Sequence, residues 1–348
     1  MKKTTFIVIG YGHIGKRHAD VIVQNPECQL LAIIDNNPDQ RNKHLQSPLK
    51  EIPFFDDLAS YFDSSIIKPD VACICLPNGL HAEFAIRLLN EGIHTLIEKP
   101  MCLTKTDGLK IISAAEKNNK KVFVVKQNRY SPPSIWMKEM IDSNKLGKLF
   151  MVQINCFWNR DERYYLPKTW RGSKDLDGGT LFTQFSHFVD IMYWVFGDIK
   201  NIQSSFFNFN HHDLTEFEDS GIISFDFVKE GSGTLQYSTS IYDKNLESSM
   251  TIIGENGSFK IGGQYMNEIT YCHIKNYELP SLPETNLPNN YGLFQGSAAN
   301  HQYVFENIIS TLKGESSIAT NAEDGLIVVD MIERIYGAGN FVNLANIK

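Results

Sequence analysis

The chain has 348 residues, 42% of them hydrophobic and 21% charged, which is the balance of an ordinary soluble globular protein. That length exceeds one ordinary core and predicts two domains, large enough to fold without a disulfide or metal staple. With 33 basic against 40 acidic residues the formal net charge is −7, which leaves no electrostatic footprint for nucleic acid.

The chain starts Met1-Lys2-Lys3, and the apolar run Phe6-Ile7-Val8-Ile9 is too short for a signal peptide; His13, Lys16 and Arg17 interrupt the segment after it. Residues 5–9, 30–34, 71–76, 94–97 and 122–125 are short, apolar and mostly β-branched, so they read as buried strands. Helical patterns lie between them at 14–23, after Asn37-Pro38, at 81–89 and at 106–117. Gly92 closes one of these and Asn118-Asn119 another. The alternation predicts an α/β fold whose first domain, 1–126, is a doubly wound parallel sheet with helices on both faces.

After Ser131-Pro132-Pro133 the pattern changes. A short helix leads to a strand at 150–158, one strongly apolar helix at 178–196, and strands at 199–207, 220–227, 233–240, 249–253 and 258–261. Turns at Lys229-Glu230-Gly231 and Gly254-Glu255-Asn256-Gly257 make this second sheet mainly antiparallel. A surface loop rich in Pro and Asn is expected over 278–295, and helices at 299–313 and 322–336 complete a second α/β domain, 127–348. No run reaches the roughly 18 apolar residues of a membrane helix, so a cytoplasmic protein is expected. Of the cysteines, Cys28, Cys73, Cys75, Cys102, Cys156 and Cys272, only Cys73 and Cys75 lie close together. No second pair occurs further along, so they read as buried thiols in a reducing cytosol, and no metal is expected.

Gly10-Tyr11-Gly12-His13-Ile14-Gly15 directly follows the first strand and opens the first helix. Alone, a Gly-x-Gly-x-x-Gly is weak. Here the second strand ends in Asp35, about twenty residues further on, where a ribose acceptor belongs. Gly10 permits the tight turn, Gly12 lets the backbone approach a pyrophosphate, and Gly15 lets helix and strand pack closely. The helix N-terminus supplies N–H donors and a partial positive charge. A carboxylate at Asp35 accepts from ribose hydroxyls and repels a 2′-phosphate, and Asn36 and Asn37 bring no offsetting cation. NAD is therefore the expected cofactor.

Two further segments make the pattern specific: Glu98-Lys99-Pro100 after a strand, and Asp177-Gly178-Gly179-Thr180-Leu181 running into Ser186-His187-Phe188-Val189-Asp190. With the fingerprint they resemble the glucose–fructose oxidoreductase/inositol dehydrogenase (Gfo/Idh/MocA) family along nearly the whole chain. Within it, Val125-Lys126-Gln127-Asn128-Arg129, Phe157-Trp158, Tyr164-Tyr165, Trp170-Arg171-Gly172, Lys244-Asn245-Leu246-Glu247 and Ile253-Gly254-Glu255-Asn256-Gly257 are similar to a subgroup. These are the UDP-N-acetylglucosaminuronic acid 3-dehydrogenases of bacterial lipopolysaccharide O-antigen synthesis. The resemblance implies a Rossmann domain, a second domain whose open sheet forms a homo-oligomer interface (tetramer or dimer), and oxidation of a sugar hydroxyl. It adds Pro77, Asn78, Glu98 and Lys99 to the expected cofactor contacts. The alternatives are another sugar or cyclitol dehydrogenase of the family and, with less support, an NAD-dependent glycosidase.

Oxidising a secondary alcohol needs a base for the hydroxyl proton and a group that stabilises the developing oxyanion. Lys99, at a strand end and held extended by Pro100, and His187, on an otherwise apolar helix, suit these two roles, with His187 as base and the roles exchangeable. Without the resemblance, His187 also reads as a hydrogen-bonded core residue. Helical spacing puts Thr183 and Asp190 on the face of His187. The inositol branch of the family carries an aspartate at the Thr183 position, and a threonine cannot supply that charge, which argues against inositol as substrate. The stretch 158–174 mixes aromatics with cations, namely Arg160, Arg163, Tyr164, Tyr165, Lys168, Trp170, Arg171 and Lys174. It reads either as a surface loop or as part of a pocket for an anionic sugar nucleotide, with Tyr165, Trp170 and Arg171 in contact with substrate. Asn128 and Arg129, just past the last strand of the first domain, are expected to point into the same cleft.

Overall fold

The computed structural model describes residues 3–64, 67–167, 169–292 and 294–342. The chain forms two compact units, Met1–Val125 with His301–Val329, and Lys126–Asn300 with Asp330–Lys348.

In the first unit, strands β1 (Thr4–Ile9), β2 (Cys28–Ile34), β3 (Phe54–Phe55), β4 (Val71–Ile74), β5 (His94–Ile97) and β6 (Val122–Val124) form one sheet. Its order is β3-β2-β1-β4-β5-β6, and every pairing is parallel. The strands are apolar almost throughout because helices cover both faces, so neither side of the pleat meets water. Left-handed residues past two helices, Gly92 (φ 72°) after His81–Asn90 and Asn119 (φ 49°) after Lys105–Lys117, turn the chain toward the next strand. The two-residue β3 is too short to carry a periodic signal, and the sequence does not predict it.

The structure departs from the contiguous division at residue 126, because His301–Val329 returns to the first unit. Helix His301–Leu312 sets Phe305 against Phe6 and His18, with ring centroids 5.5 and 5.3 Å apart. Val124 N–H donates to Thr320 O (3.0 Å) and the Thr320 hydroxyl donates to Val124 O (2.6 Å). Gly325 lies so close to Met101 that a Cβ there would meet its sulfur at 2.9 Å.

The second unit is built on β7 (Leu149–Phe157), β8 (Ile199–Phe207), β9 (Ser220–Phe227), β10 (Ser232–Ser238), β11 (Glu247–Gly254), β12 (Gly257–Gly262) and β13 (Glu268–Ile274). A small hairpin, β14 (Pro288–Asn290) with β15 (Gln295–Ala298), and a last strand, β16 (Gly339–Phe341), complete it. The large sheet runs β13-β12-β11-β7-β10-β9-β8-β16, antiparallel except at β7–β10 and β8–β16. One face packs on the apolar helix Ser186–Phe196: Phe196 meets Phe227 at 5.2 Å and Phe188 meets Trp158 at 5.7 Å. The expected surface loop ends in the β14–β15 hairpin, and β13 and β16 lie where no strand was expected.

The helix expected over 178–196 is broken. Thr180–Thr183 and Ser186–Phe196 are separate helices, and Phe185 N–H reaches back five residues to Thr180 O (3.2 Å). The cysteines are free, five buried and Cys272 half-buried, and burial pushes the Cys73 and Cys75 thiols well above their ordinary range. No helix among the described residues is long and apolar enough to cross a membrane.

Candidate functional site

The glycine loop divides its work as its spacing suggests. Gly10 has φ 88°, and a Cβ on it would meet Cys75 O at 2.5 Å; one on Gly15 would lie 1.8 Å from Gly10 O. Among the described residues a Cβ on Gly12 would meet nothing within 4 Å, so open space adjoins the backbone just where helix His13–Gln24 begins. Gly12 is the N-cap and has no side chain to cap that helix, whose first turn includes His13 and Ile14. Asp35 is held rigidly: its Oδ2 accepts from Tyr11 N–H (2.5 Å) and its Oδ1 from Asn37 N–H (2.8 Å). A carboxylate has about four lone-pair sites, so Asp35 keeps capacity for ribose hydroxyls. The loop and the acid therefore fit a dinucleotide.

Pro77 and Asn78 follow β4, with Asn78 buried at the start of a short turn. His81 ties this loop to the next strand end, its ring nitrogens 2.8 Å from Leu76 O and 2.7 Å from Pro100 O. Glu98 and Lys99 follow β5, and Glu98 is buried against His18 (2.8 Å), so it is an internal carboxylate rather than an open contact. The Lys99–Pro100 peptide is cis.

In the second unit, Arg129 and Asn128 are committed to bonds within the unit. Arg129 grips Asp190 through Nε to Oδ2 (2.9 Å) and NH2 to Oδ1 (2.7 Å), and Lys126 Nζ lies 3.4 Å from Oδ1. Burial alone would raise the Asp190 carboxyl, but Arg129 and Lys126 outweigh it and hold it below its ordinary value. Asn128 Oδ1 accepts from the Ser297 hydroxyl at 2.7 Å.

His187 is buried near the start of Ser186–Phe196. The helix break removes the spacing argument that linked it to Thr183. Asp190 remains one turn on, but it belongs to the Arg129 ion pair. Thr183 instead donates to Asp177, through both the backbone oxygen (3.1 Å) and Oδ1, and Asp177 Oδ2 accepts from Gly172 N–H (2.8 Å). The structure thus brings a fully buried carboxylate to the threonine that stands where the family's inositol branch has an aspartate. In the sequence Asp177 belongs to a motif but carries no role of its own; the only signal is its place before Gly178-Gly179.

The aromatic and cationic stretch separates into core, surface and cluster. Trp158 is core, its Nε1–H donating to the Ser248 hydroxyl (2.8 Å), and Arg163 is tied to Asp161 and Asp243 at the surface. Lys174 is exposed, and Lys168 lies outside the described residues. Around Tyr164, which packs edge-on to Tyr165 at 4.9 Å, two guanidiniums gather: Arg171 at 4.4 Å and Arg160 at 5.3 Å from its ring. Arg171 also lies over Trp170, and both arginines lie over Phe294. Arg160 is 3% exposed, and it donates to neutral acceptors: Asn159 O, Asn245 Oδ1 and Gln295 O. The Nε atoms of both arginines are buried without a hydrogen-bond partner among the described residues.

Beneath the turn that holds Asp177 lies a carboxyl the sequence did not advertise. Glu218 Oε1 accepts from the hydroxyls of Tyr237 (2.8 Å) and Tyr336 (2.6 Å), and Tyr336 in turn accepts from Leu181 N–H (3.1 Å). Burial pushes its pKa up from 4.5 to about 7, with the two tyrosines pulling the other way. An unfolded chain releases this proton first, so stability falls as pH rises from about 4.5 to about 7, by roughly 3 kcal/mol in all. Glu218→Gln should cancel that slope. The free-energy difference between variant and wild type, from denaturant melts at pH 5 and pH 8, should move toward the variant by that amount; a flat difference would exclude a neutral acid here.

Residues 4–126 match the sequence family described as an oxidoreductase family with an NAD-binding Rossmann fold, and residues 135–260 match the GFO/IDH/MocA C-terminal domain. Among solved structures, the WlbA dehydrogenase of Bordetella pertussis, in complex with NADH and UDP-GlcNAcA, aligns with a TM-score of 0.86 at 27% identity, over 97% of this chain and 96% of that one. The D-glucoside 3-dehydrogenase of Escherichia coli is 22% identical over 347 residues, 94% of this chain and 93% of that protein. Oxidoreductase P35 of Formosa agariphila is 29% identical over 189 residues, and the match spans 53% of this chain and only 57% of that relative. The glycine loop with its strand-end acid, the six-stranded parallel sheet and the mainly antiparallel second sheet agree with these matches, and the chain belongs to the Gfo/Idh/MocA oxidoreductase family, with an NAD-binding Rossmann domain.

Proposed function

We propose that the protein is an NAD-dependent dehydrogenase of a sugar hydroxyl, and that its substrate is the 3-hydroxyl of UDP-N-acetylglucosaminuronic acid in surface-polysaccharide synthesis. The observation that carries the substrate class is the Arg160–Arg171 pair. Two guanidiniums share aromatic walls, no carboxylate is paired with either among the described residues, and each keeps an unused Nε. Such a pair calls for an anion, and the aromatic faces suit a sugar or uracil ring. The WlbA structure, with UDP-GlcNAcA bound, supports the same reading.

NAD, when bound, would supply the hydride acceptor; the open backbone at Gly12 and the start of helix His13–Gln24 would receive the pyrophosphate, Gly10 and Gly15 would shape the turn beneath it, and Asp35 would hold the ribose. His187 takes the hydroxyl proton and Lys99 stabilises the oxyanion as the carbonyl forms, so the balance is alcohol plus NAD+ to ketone, NADH and one proton. Tyr165, Trp170 and Arg171 line the substrate, with Thr183 and Asp177 beside them.

The test is incubation of the purified protein with NAD and UDP-N-acetylglucosaminuronic acid, with and without 2-oxoglutarate, following NADH and the mass of the sugar nucleotide. A product about two mass units lighter is expected. Turnover of simple polyols with none of UDP-sugars would overturn the substrate and leave the family standing. The same sample run by sedimentation tests the proposed homo-oligomer through the outer face of the second sheet, where Met151, Ile222, Ile253 and Tyr271 are exposed. A monomer would remove it.

A further inference from the structure

At the end of β5, Glu98 is 5% exposed and has no part in the proton transfers assigned above. Its Oε1 lies 2.8 Å from His18 Nε2 and 3.5 Å from His301 Nε2, and its Oε2 accepts from Lys99 N–H at 3.2 Å. Both imidazoles are essentially inaccessible, at 0% and 1%. Neither Nδ1 has a hydrogen-bond partner among the described residues. A charged ring would leave an N–H stranded there, whereas the tautomer protonated at Nε2 leaves only a lone pair. His18 holds the carboxylate through Nε2, and His301, its imidazole pushed below its ordinary value by burial, stands beside it at 3.5 Å without a hydrogen bond, so the negative charge stays on Glu98. Burial alone would raise the Glu98 carboxyl; His18 and His301 outweigh it and hold it well below the usual carboxylate range.

The same three side chains could ligate a metal, since their ligand atoms lie within 4.8 Å of one another. Metal-bound imidazoles, however, almost always donate the other ring N–H to an acceptor, and neither ring has one among the described residues. The hydrogen-bonded carboxylate is the better account.

Its place in the sheet gives the charge a target. The strand order reverses between β1 and β4, and folds of this kind seat one nucleotide on each half across that switch point. Asp35 and the glycine loop claim the adenosine for the β1–β3 half. The nicotinamide then falls to the β4–β6 half, where Glu98 stands at the C-terminal end of β5. That ring is positive when oxidised and neutral when reduced, so a fixed negative charge acts on the two forms unequally.

We infer that the Glu98 charge, fixed by His18 and His301, biases the site toward the oxidised cofactor over the reduced one, and so favours release of NADH after each oxidation. Titration of the wild type, Glu98→Gln and Glu98→Asp with NAD+ and with NADH, without sugar, tests this. Glu98→Gln should raise the ratio Kd(NAD+)/Kd(NADH) by about tenfold, while Glu98→Asp keeps the wild-type ratio whatever happens to the absolute affinities. Parallel weakening of both forms by Glu98→Gln would reduce Glu98 to a structural role and overturn the inference.

Should Glu98→Gln not fold, the wild type suffices. An adenine dinucleotide carrying neutral benzamide in place of the pyridinium should bind about tenfold more weakly than NAD+, and equal binding overturns the inference. Zinc retained at one ion per chain after dialysis, and lost in His301→Leu, would also overturn it by making the set a metal centre.

Discussion

His187→Ala is expected to lower kcat by about 10²–10⁴-fold with the NAD Kd close to that of the wild type, and Lys99→Met to lower it over the same range. The two should not add, because a base and an oxyanion partner act on one transition state. His187 is an imidazole on a helix that otherwise buries Phe188, Val189, Ile191 and Met192. Such a position is either a base or a core residue, and kinetics separates the two. Loss of the base removes the acidic limb of the kcat/KM profile, so the variant that loses this limb identifies the proton acceptor. Activity within about tenfold of wild type in His187→Ala would return it to the core.

Asp190→Ala should cost about 3–5 kcal/mol of stability, read by denaturant unfolding. Asp190 is 1% exposed, and its removal takes from two buried cations, Arg129 and Lys126, the counter-charge they share. The penalty comes from the buried positive charge left without that carboxylate more than from the lost attraction, so the triple replacement Asp190→Leu, Arg129→Met, Lys126→Met should recover most of it. Because the Asp190 carboxyl is held below 3.8, the stabilisation is complete above about pH 4 and is lost as pH falls through the lower, folded-state pKa. A cost under about 1 kcal/mol would mean the pair is open to solvent.

Much of the fold was legible because its signals are local. Period-2 and period-3.6 apolar runs, a glycine at φ 88° and an acid ending β2 each span a few residues, and each is dictated by sterics or by a helix terminus. The mainly antiparallel pairing of the second sheet followed from turn residues in the same way. The helix break at Gln184–Phe185 was hidden because apolar periodicity runs straight through it.

What the sequence determined by itself was the parallel nucleotide-binding sheet, the glycine–acid fingerprint, and the supply of aromatic and cationic side chains near residue 165. The tertiary structure decided which of those side chains are spent on one another. Arg129 closes on Asp190, while Arg160 and Arg171 gather on Tyr164 without a carboxylate among the described residues. It also brought Glu218 under Tyr336 and His301 onto Glu98, pairs separated by more than a hundred positions along the chain. Buried polar groups must find partners wherever the fold places them, and that pairing is fixed by three-dimensional packing, which leaves no periodic trace in the chain.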